Sequence, residues 1–386
     1  MIIGHFVETS QPYYGIYMSY ISYFKLSVPV FLIGVNGIVN FLFNLIILKG
    51  IYTIVMKKGR VKLKQNILVS FNPNSKQREI IENELSEKAN IYYLESDTNR
   101  TEAIEKADII FSWNPIREFD DEEYKYFENV KLMQLLSAGG DHLPFEFFPN
   151  SLIVAGNVGA YAQAMAEHAL AMALSLSKNL FVNHQKIKEG VFDQSSQGKL
   201  VHGANFAIIG FGGIGKEIYK LLQPFDPKIY AINTSGKTDL NVFFVGTVED
   251  LNYVLSNADF IFITIPLTQK TKGMIGKTEL NNMKDDAILV NVARGEIIDQ
   301  KDLYDHLLSH PKFKAGIDAW WIEPFRHGEF KVDYPFVELP NVIGSPHNSG
   351  MVPGSMVKAT GFAVKNILEF LNGNKIKGVF NRAEYL

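Results

Sequence analysis

The stretch Phe206-Ala207-Ile208-Ile209-Gly210-Phe211-Gly212-Gly213-Ile214-Gly215 runs an apolar, strand-like segment straight into G-x-G-x-x-G, and residues 216–222 behind it read as helix. In that order Gly210 admits a tight turn, Gly212 lets the backbone approach a pyrophosphate, and Gly215 lets the helix pack closely on the strand. The first N–H groups of the helix are then offered to the anion, so the stretch predicts a dinucleotide-binding turn that includes Gly213 and Ile214. A further strand is expected at 228–232. At its end, 23 residues past Gly210, an NAD site commonly carries an acid for the ribose hydroxyls; here stand Asn233, Thr234, Ser235 and Lys237. Neutral donors with a cation accommodate a 2′-phosphate, which inclines the NAD(P) reading slightly towards NADP. An NAD ribose on Asn233 with Lys237 solvated is the open alternative.

Outward from this turn, short apolar runs alternate with helical patterns, as in parallel sheets with crossover helices. Strands are expected at 66–71, 89–94, 107–113, 131–136 and 152–155, then at 206–209, 228–232, 260–265, 287–291 and 315–319, ending near Val342. Between the two sets, a helix at 160–177 with Ala162, Ala164, Ala166, Ala169 and Ala171 suits a buried connector and hinge. A helix at 356–371, stopped by Asn372-Gly373, is expected to return to the first unit. The fold class is α/β with two Rossmann-like domains and a cleft between them. A flavodoxin-like substrate domain takes 66–155 plus 346–386, and a dinucleotide-binding Rossmann domain takes 156–345.

At 386 residues the chain has length for two domains, and 47% hydrophobic with 20% charged residues fits a folded globule. The absence of cysteine excludes disulfides, thiolate metal sites and cysteine nucleophiles. A net charge of -3 argues against nucleic acid as a partner. Residues 1–65 differ from the rest: they hold seven Lys or Arg against the single acid Glu8. The 23 residues 26–48 carry no formal charge, and Lys57, Lys58, Arg60, Lys62 and Lys64 follow. That pattern suits a membrane span with the body on the cytoplasmic side. Pro29, Gly34, Gly37 and the stripe Asn36, Asn40, Asn44 weaken it. A chain starting at Met56 and a soluble packing extension are the other readings of this apolar segment, and membrane contact is expected only if 26–48 spans.

Three segments in the second unit each set a polar residue past an apolar strand, at the carboxyl edge where open α/β sheets bind ligands. They place Arg294 after 287–291, Glu323 after 315–319 and His347 after the segment ending near Val342. A guanidinium binds a substrate carboxylate and polarises the adjacent carbonyl, while an imidazolium donates a proton to the developing alkoxide. A carboxylate beside an imidazole favours its protonated form and fixes its tautomer. The set therefore suits hydride transfer between a nicotinamide and a 2-oxo acid, with Arg294, Glu323 and His347 as the catalytic residues.

With 136–142, 165–168, the glycine motif, 265–268, 291–299, 318–324 and 345–347 together, the chain resembles the D-isomer-specific 2-hydroxyacid dehydrogenase family from about residue 66 to 375. That family includes glyoxylate/hydroxypyruvate reductases, D-lactate dehydrogenases and 3-phosphoglycerate dehydrogenases. The resemblance implies the same three catalytic residues. It puts Pro266 near the adenosine, Asp318 at the nicotinamide amide, and Asn291, Val292 and Ala293 among the cofactor contacts. It puts a substrate-carboxylate loop on Ala138, Gly139 and Gly140, and implies a homodimer with an exchanged arm at 181–199. The family pattern is broken at Asn233, at Asn348-Ser349-Gly350 and at the pair Trp320-Trp321.

For the substrate side chain, Trp113 and Asn114 at the end of the third strand are pocket candidates, weighed against a core Trp and an Asn that merely starts the Pro115 turn. His142 and His168 read as structural. No cation lies between Ser112 and Ile116 and Arg117 is the nearest, which favours a small unphosphorylated 2-oxo acid such as glyoxylate or hydroxypyruvate. No metal is expected. The expected protein is a cytoplasmic NAD(P)-dependent 2-hydroxyacid oxidoreductase; a dinucleotide-sensing regulator with little turnover is the alternative.

Overall fold

The computed structural model describes residues 64–94 and 99–386, so the readings of 26–48 and Met56 fall outside the described residues. Five short strands, β1 (Gln65–Val69), β2 (Ala89–Tyr93), β3 (Ile109–Ser112), β4 (Leu132–Leu135) and β5 (Ile153–Ala155), pair in parallel in the order β2-β1-β3-β4-β5. This is the flavodoxin-like order, with its switch point between β1 and β3. Seven more, β6 (Asn205–Ile209), β7 (Lys228–Ile232), β8 (Phe244–Gly246), β9 (Phe260–Ile263), β10 (Ile288–Asn291), β11 (Lys314–Ile317) and β12 (Val342–Gly344), pair in the order β12-β11-β10-β9-β6-β7-β8. All pairs are parallel, Ile209 lying opposite both Ile232 and Ile263. That is a Rossmann sheet with one added strand, its order reversing between β6 and β9.

Strand alternation sends side chains to both faces, and both are covered. Ala207 and Ile209 of β6 enter one buried cluster, while Phe206 and Ile208 enter another with Ala166, Ala169, Met172 and Leu176 of the helix Ala162–Ser177. On the first sheet, Ile67 and Val69 pack with Ala359, Ala363, Ile367 and Leu371 of the helix Ser355–Leu371, and Leu68 faces the opposite cluster. Buried polar bonds tie that helix down: Gln77 Nε2 donates to Thr360 Oγ1 at 3.0 Å, and Asn157 Nδ2 to the Ala359 carbonyl at 2.8 Å. Both sheets belong to one unit, Lys64–Leu386.

The strands are shorter than their apolar runs. Phe71, Leu94, Trp113, Ile265 and Ala319, expected at strand ends, lie in the loops beyond. These are carboxyl-edge residues, where the chain leaves the ladder to build the site. β8 has no clear sequence signal, being a three-residue edge strand with only Gly246 buried. The connector helix begins at Ala162, and Ala171 is exposed, because the helix covers one sheet face and is wet on its other side. Among the described residues no helix is long and apolar enough to cross a membrane.

Candidate active site

β6 runs into Gly210, whose φ of +106° and close approach to Thr264 leave no room for a side chain: a Cβ would lie 2.8 Å from the Thr264 carbonyl. Thr264 Oγ1 donates to the Gly210 carbonyl at 2.7 Å, closing the turn across the switch point. A Cβ on Gly215 would meet the Gly210 oxygen at 2.4 Å, so glycine sets how near the helix Gly213–Leu222 comes to its strand. Gly212, at the N-cap, faces open space, and no side chain caps the helix. Unpaired N–H groups beside an open glycine fit the pyrophosphate of a dinucleotide.

Past β7, Asn233 is already engaged. Its Oδ1 accepts from Ser235 N at 2.9 Å, Ser235 Oγ at 3.0 Å and Gly236 N at 2.8 Å, and its Nδ2 donates to the Lys237 carbonyl at 2.9 Å. The amide therefore folds the loop, and the exposed groups there are Thr234, Ser235 and Lys237. Pro266, after β9, is held by Thr271 Oγ1 on its carbonyl at 2.7 Å. Val292 and Ala293 bury their side chains in the two cores of the second sheet, so only their backbone can meet a ligand.

The three catalytic candidates leave adjacent strands on the same edge. After β10, Asn291 bridges its own loop, with Nδ2 on the Arg294 carbonyl at 2.8 Å and Oδ1 accepting from Ala293 N at 3.0 Å. Gly295 lies flat on the next loop; a Cβ there would sit 2.4 Å from the Trp320 carbonyl carbon. After β11, Glu323 is buried at the start of the short helix Pro324–His327. Its Oε1 accepts from Trp320 N at 2.5 Å and its Oε2 meets His347 Nδ1 at 2.6 Å. His347 follows β12 with φ +50°, a left-handed conformation uncommon outside glycine, and its N–H donates to the Asp318 carbonyl at 2.9 Å.

Asp318, expected at the nicotinamide, is fully buried and its carboxylate is spent on the histidine loop: Ser345 Oγ at 2.6 Å, Asn348 N at 3.2 Å and Ser349 N at 3.3 Å donate to it. It braces the unusual backbone that presents His347. His168 Nε2 meets Ser345 Oγ at 2.9 Å, joining the connector helix to the same loop. The unexpected tryptophan pair has a comparable role. Trp320 Nε1 donates to the Ser345 carbonyl and Trp321 Nε1 to the Ile298 carbonyl, each at 2.8 Å.

Across the cleft, the loop after β4 receives Arg294. A Cβ on Gly139 would overlap the guanidinium, 2.1 Å from Nη2, so glycine is what lets the arginine lie against the loop. Gly140 similarly makes way for the Phe380 ring. Arg294 Nε donates to Asp141 at 3.0 and 3.1 Å; Arg326 Nε lies 3.1 Å from the same carboxylate and its other nitrogens reach Glu296. Burial pushes the Asp141 carboxyl up, but the two guanidiniums outweigh it and hold it down to about 2. Burial opposes the charge on Arg294, and Asp141, Glu323 and Glu296 more than restore it, raising the guanidinium's pKa.

His142, beside Asp141, packs edge-on against Phe325 with ring centroids 5.5 Å apart, and neither ring nitrogen has a partner. Burial pushes it down to about 4 against the pull of Asp141. An unfolded histidine near 6.5 binds protons that the folded one refuses, so this stabilisation is complete above pH 6.5 and is lost as pH falls towards 4. The Asp141 contribution is complete above about pH 4 and is lost only as pH falls through about 2. The variant His142→Phe is therefore expected to remove roughly 3 kcal/mol of the stability lost between pH 7 and pH 4. Urea unfolding at the two pH values checks this; an unchanged pH dependence refutes it.

A cleft of about 390 Å³ lies at the β1/β3 switch point, lined by Ser70, Phe71, Asn72, Arg100, Trp113, Asn114, Arg117, Glu118 and Phe325. Trp113 is 42% exposed, so it is not a core residue. Asn114 is buried, with both side-chain amide atoms lacking hydrogen-bond partners, although it does start the short helix Pro115–Glu118. Nothing in the chain order signals that Arg100 shares this cleft with Arg117, or that Asp141 and Arg326 are partners around Arg294. Among the described residues no group of three or more His, Asp or Glu side chains could hold a metal ion.

Comparison with known proteins gives the chain a family. The model for the D-isomer specific 2-hydroxyacid dehydrogenase NAD-binding domain matches residues 170–349. The chain is 31% identical over 223 residues to the hydroxypyruvate reductase of Thermotoga maritima, covering 57% of this chain and 71% of that protein. It is 29% identical over 257 residues to the D-3-phosphoglycerate dehydrogenase of Methanocaldococcus jannaschii, covering 66% of this chain and 48%, about half, of that relative. The solved D-lactate dehydrogenase of Lactobacillus jensenii shares the fold, with TM-score 0.63 and 24% identity over 82% of this chain and all of that one. The chain belongs to the D-isomer-specific 2-hydroxyacid dehydrogenase family. It is an NAD(P)-dependent oxidoreductase of that family, and its second sheet is the NAD-binding domain.

Proposed function

We propose that this protein reduces a small 2-oxo acid to the D-2-hydroxy acid, with glyoxylate and hydroxypyruvate as the first substrates to try. The observation that carries the reading is the pairing of His347 Nδ1 with buried Glu323 at 2.6 Å, on the same sheet edge as an Arg294 laid against Gly139. Arg294, with the backbone of Ala138, Gly139 and Gly140, holds the substrate carboxylate and polarises its carbonyl. Glu323 accepts the Nδ1 hydrogen bond, which leaves Nε2 of His347 to hand a proton to the carbonyl oxygen as it becomes an alkoxide. NAD(P)H, held at the glycine turn, supplies the hydride. The layer 66–155 plus 346–386 serves as substrate domain and 156–345 as cofactor domain, with Trp113 and Asn114 meeting the substrate side chain.

Exposed Lys237, Thr234 and Ser235 favour NADPH over NADH. Asn233→Asp can accept the same loop N–H bonds while adding a charge that repels a 2′-phosphate. It is expected to lower the NADPH-to-NADH ratio of kcat/KM tenfold or more. An unchanged ratio would remove that position from cofactor choice. The helix Leu180–Lys188 has no buried residue, and Phe181, Ile187, Val191 and Phe192 are exposed, which supports a homodimer formed through 181–199. With 26–48 as a membrane span, the basic cluster that follows it puts the catalytic body on the cytoplasmic side.

The test is loss of NADPH and NADH absorbance with glyoxylate, hydroxypyruvate, pyruvate and longer 2-oxo acids. Turnover supports the reductase. Tight dinucleotide binding without turnover of any acid would favour a sensor on the same fold.

A further inference from the structure

The cleft at the β1/β3 edge holds two arginines, and their surroundings differ. Arg100 is neutralised: Nε and Nη2 each reach Glu123 at 2.8 Å, and Nη2 also donates to the Glu118 carbonyl. Arg117 has no carboxylate within ion-pair distance among the described residues. It donates to the Pro324 carbonyl and lies over the Phe325 ring at 5.9 Å. The nearest acid in the chain, Glu118, is turned to its own loop. Its Oε2 accepts from Ser70 Oγ and Ser112 Oγ at 2.6 Å, and its Oε1 from Trp113 N at 3.0 Å and Asn114 N at 2.6 Å.

Between Glu118 and Arg117, then, the cleft offers a guanidinium with donors to spare and the buried, unpartnered amide of Asn114. An unpaired buried amide is costly to the fold, and a hydrogen-bonding ligand group would recover that cost. Phe325 links this place to the reaction site, since its ring touches both Arg117 and His142, next to the Asp141 that anchors Arg294. Exposed Trp113 and half-buried Phe325 supply apolar walls for a short carbon chain between the two ends.

We propose that the substrate is a 2-oxo acid with a second anionic group, which Arg117 and Asn114 bind while Arg294 binds the reacting end. The proposal rests on the reductase reading and names its substrate class. A guanidinium recognises carboxylate and phosphate through the same forked donors.

The test is steady-state kinetics of the full chain with two sets of acids. One contains oxaloacetate, 2-oxoglutarate and 3-phosphohydroxypyruvate; the other contains 2-oxobutanoate and 2-oxopentanoate, with glyoxylate as the common reference. At least one doubly anionic acid is expected to exceed the monoacids at least tenfold in kcat/KM. Preference for the diacids assigns the site to carboxylate, and preference for the phosphate ester assigns it to phosphate. Arg117→Gln is expected to lower the ratio of doubly to singly charged substrate tenfold or more, chiefly through KM, and Arg117→Lys to restore part of it. Equal use of monoacids, or a ratio indifferent to Arg117→Gln, overturns the second-anion site while glyoxylate turnover leaves the reductase standing. No turnover of any acid, glyoxylate included, overturns both.

Discussion

The His347→Asn variant is expected to lose about 10³-fold in kcat, within the range for removing a general acid, while its dinucleotide affinity changes less than about twofold. The proton donor is gone, yet the glycine turn past β6 lies on a different strand from the loop past β12 and is not disturbed. Glu323 then loses the partner of one oxygen and keeps Trp320 N on the other, at 5% side-chain exposure. An orphaned buried carboxylate oxygen costs about 1–3 kcal/mol, so thermal stability should fall together with turnover. Stopped-flow turnover and dinucleotide titration on the same preparation separate the two effects. Turnover within tenfold of wild type would assign the proton to another group.

Arg294→Gln should combine the largest loss of kcat/KM with a folding defect. Removing a guanidinium that meets the substrate carboxylate and the developing oxyanion costs about 10²–10³-fold in turnover by itself. The same change takes one of two cations from Asp141, whose side chain is 5% exposed. Breaking a buried ion pair typically costs 3–5 kcal/mol; with Arg326 still in place the expected loss is about 2 kcal/mol. The Asp141 carboxyl then rises from about 2, and the acid limb of stability moves to higher pH, because a less depressed carboxyl is protonated sooner. Arg294→Lys keeps the charge but not the fork that lies against Gly139, so it should recover stability more than activity. Urea unfolding and steady-state kinetics on both variants check this. Wild-type kcat/KM in Arg294→Gln would refute the carboxylate-binding role.

Much of this was legible in the chain because it is local. Phe206 to Gly215 contains its own strand, turn and helix start, and the loops that carry Arg294, Glu323 and His347 each follow a short apolar run that reads as a parallel strand once it alternates with helical patterns. Once those runs lie side by side, the three residues share an edge without further instruction. β8 was illegible, since a three-residue strand with one buried position leaves no periodic pattern. The structural duty of Asn233 was also hidden: an amide at a strand end looks the same in sequence whether it meets a ribose or folds its own loop.

The sequence by itself determined the class of fold, the glycine turn proposed for the dinucleotide phosphates and the three residues proposed for the chemistry, because each depends on neighbours a few positions away. Only the tertiary structure decided that Asp141 seizes Arg294 across 153 positions, that Asp318 serves the histidine loop and that Arg100, Asn114, Arg117 and Phe325 meet in one cleft. Such pairings depend on how two sheets and their covering helices pack. Packing brings together side chains whose separation along the chain carries no signal.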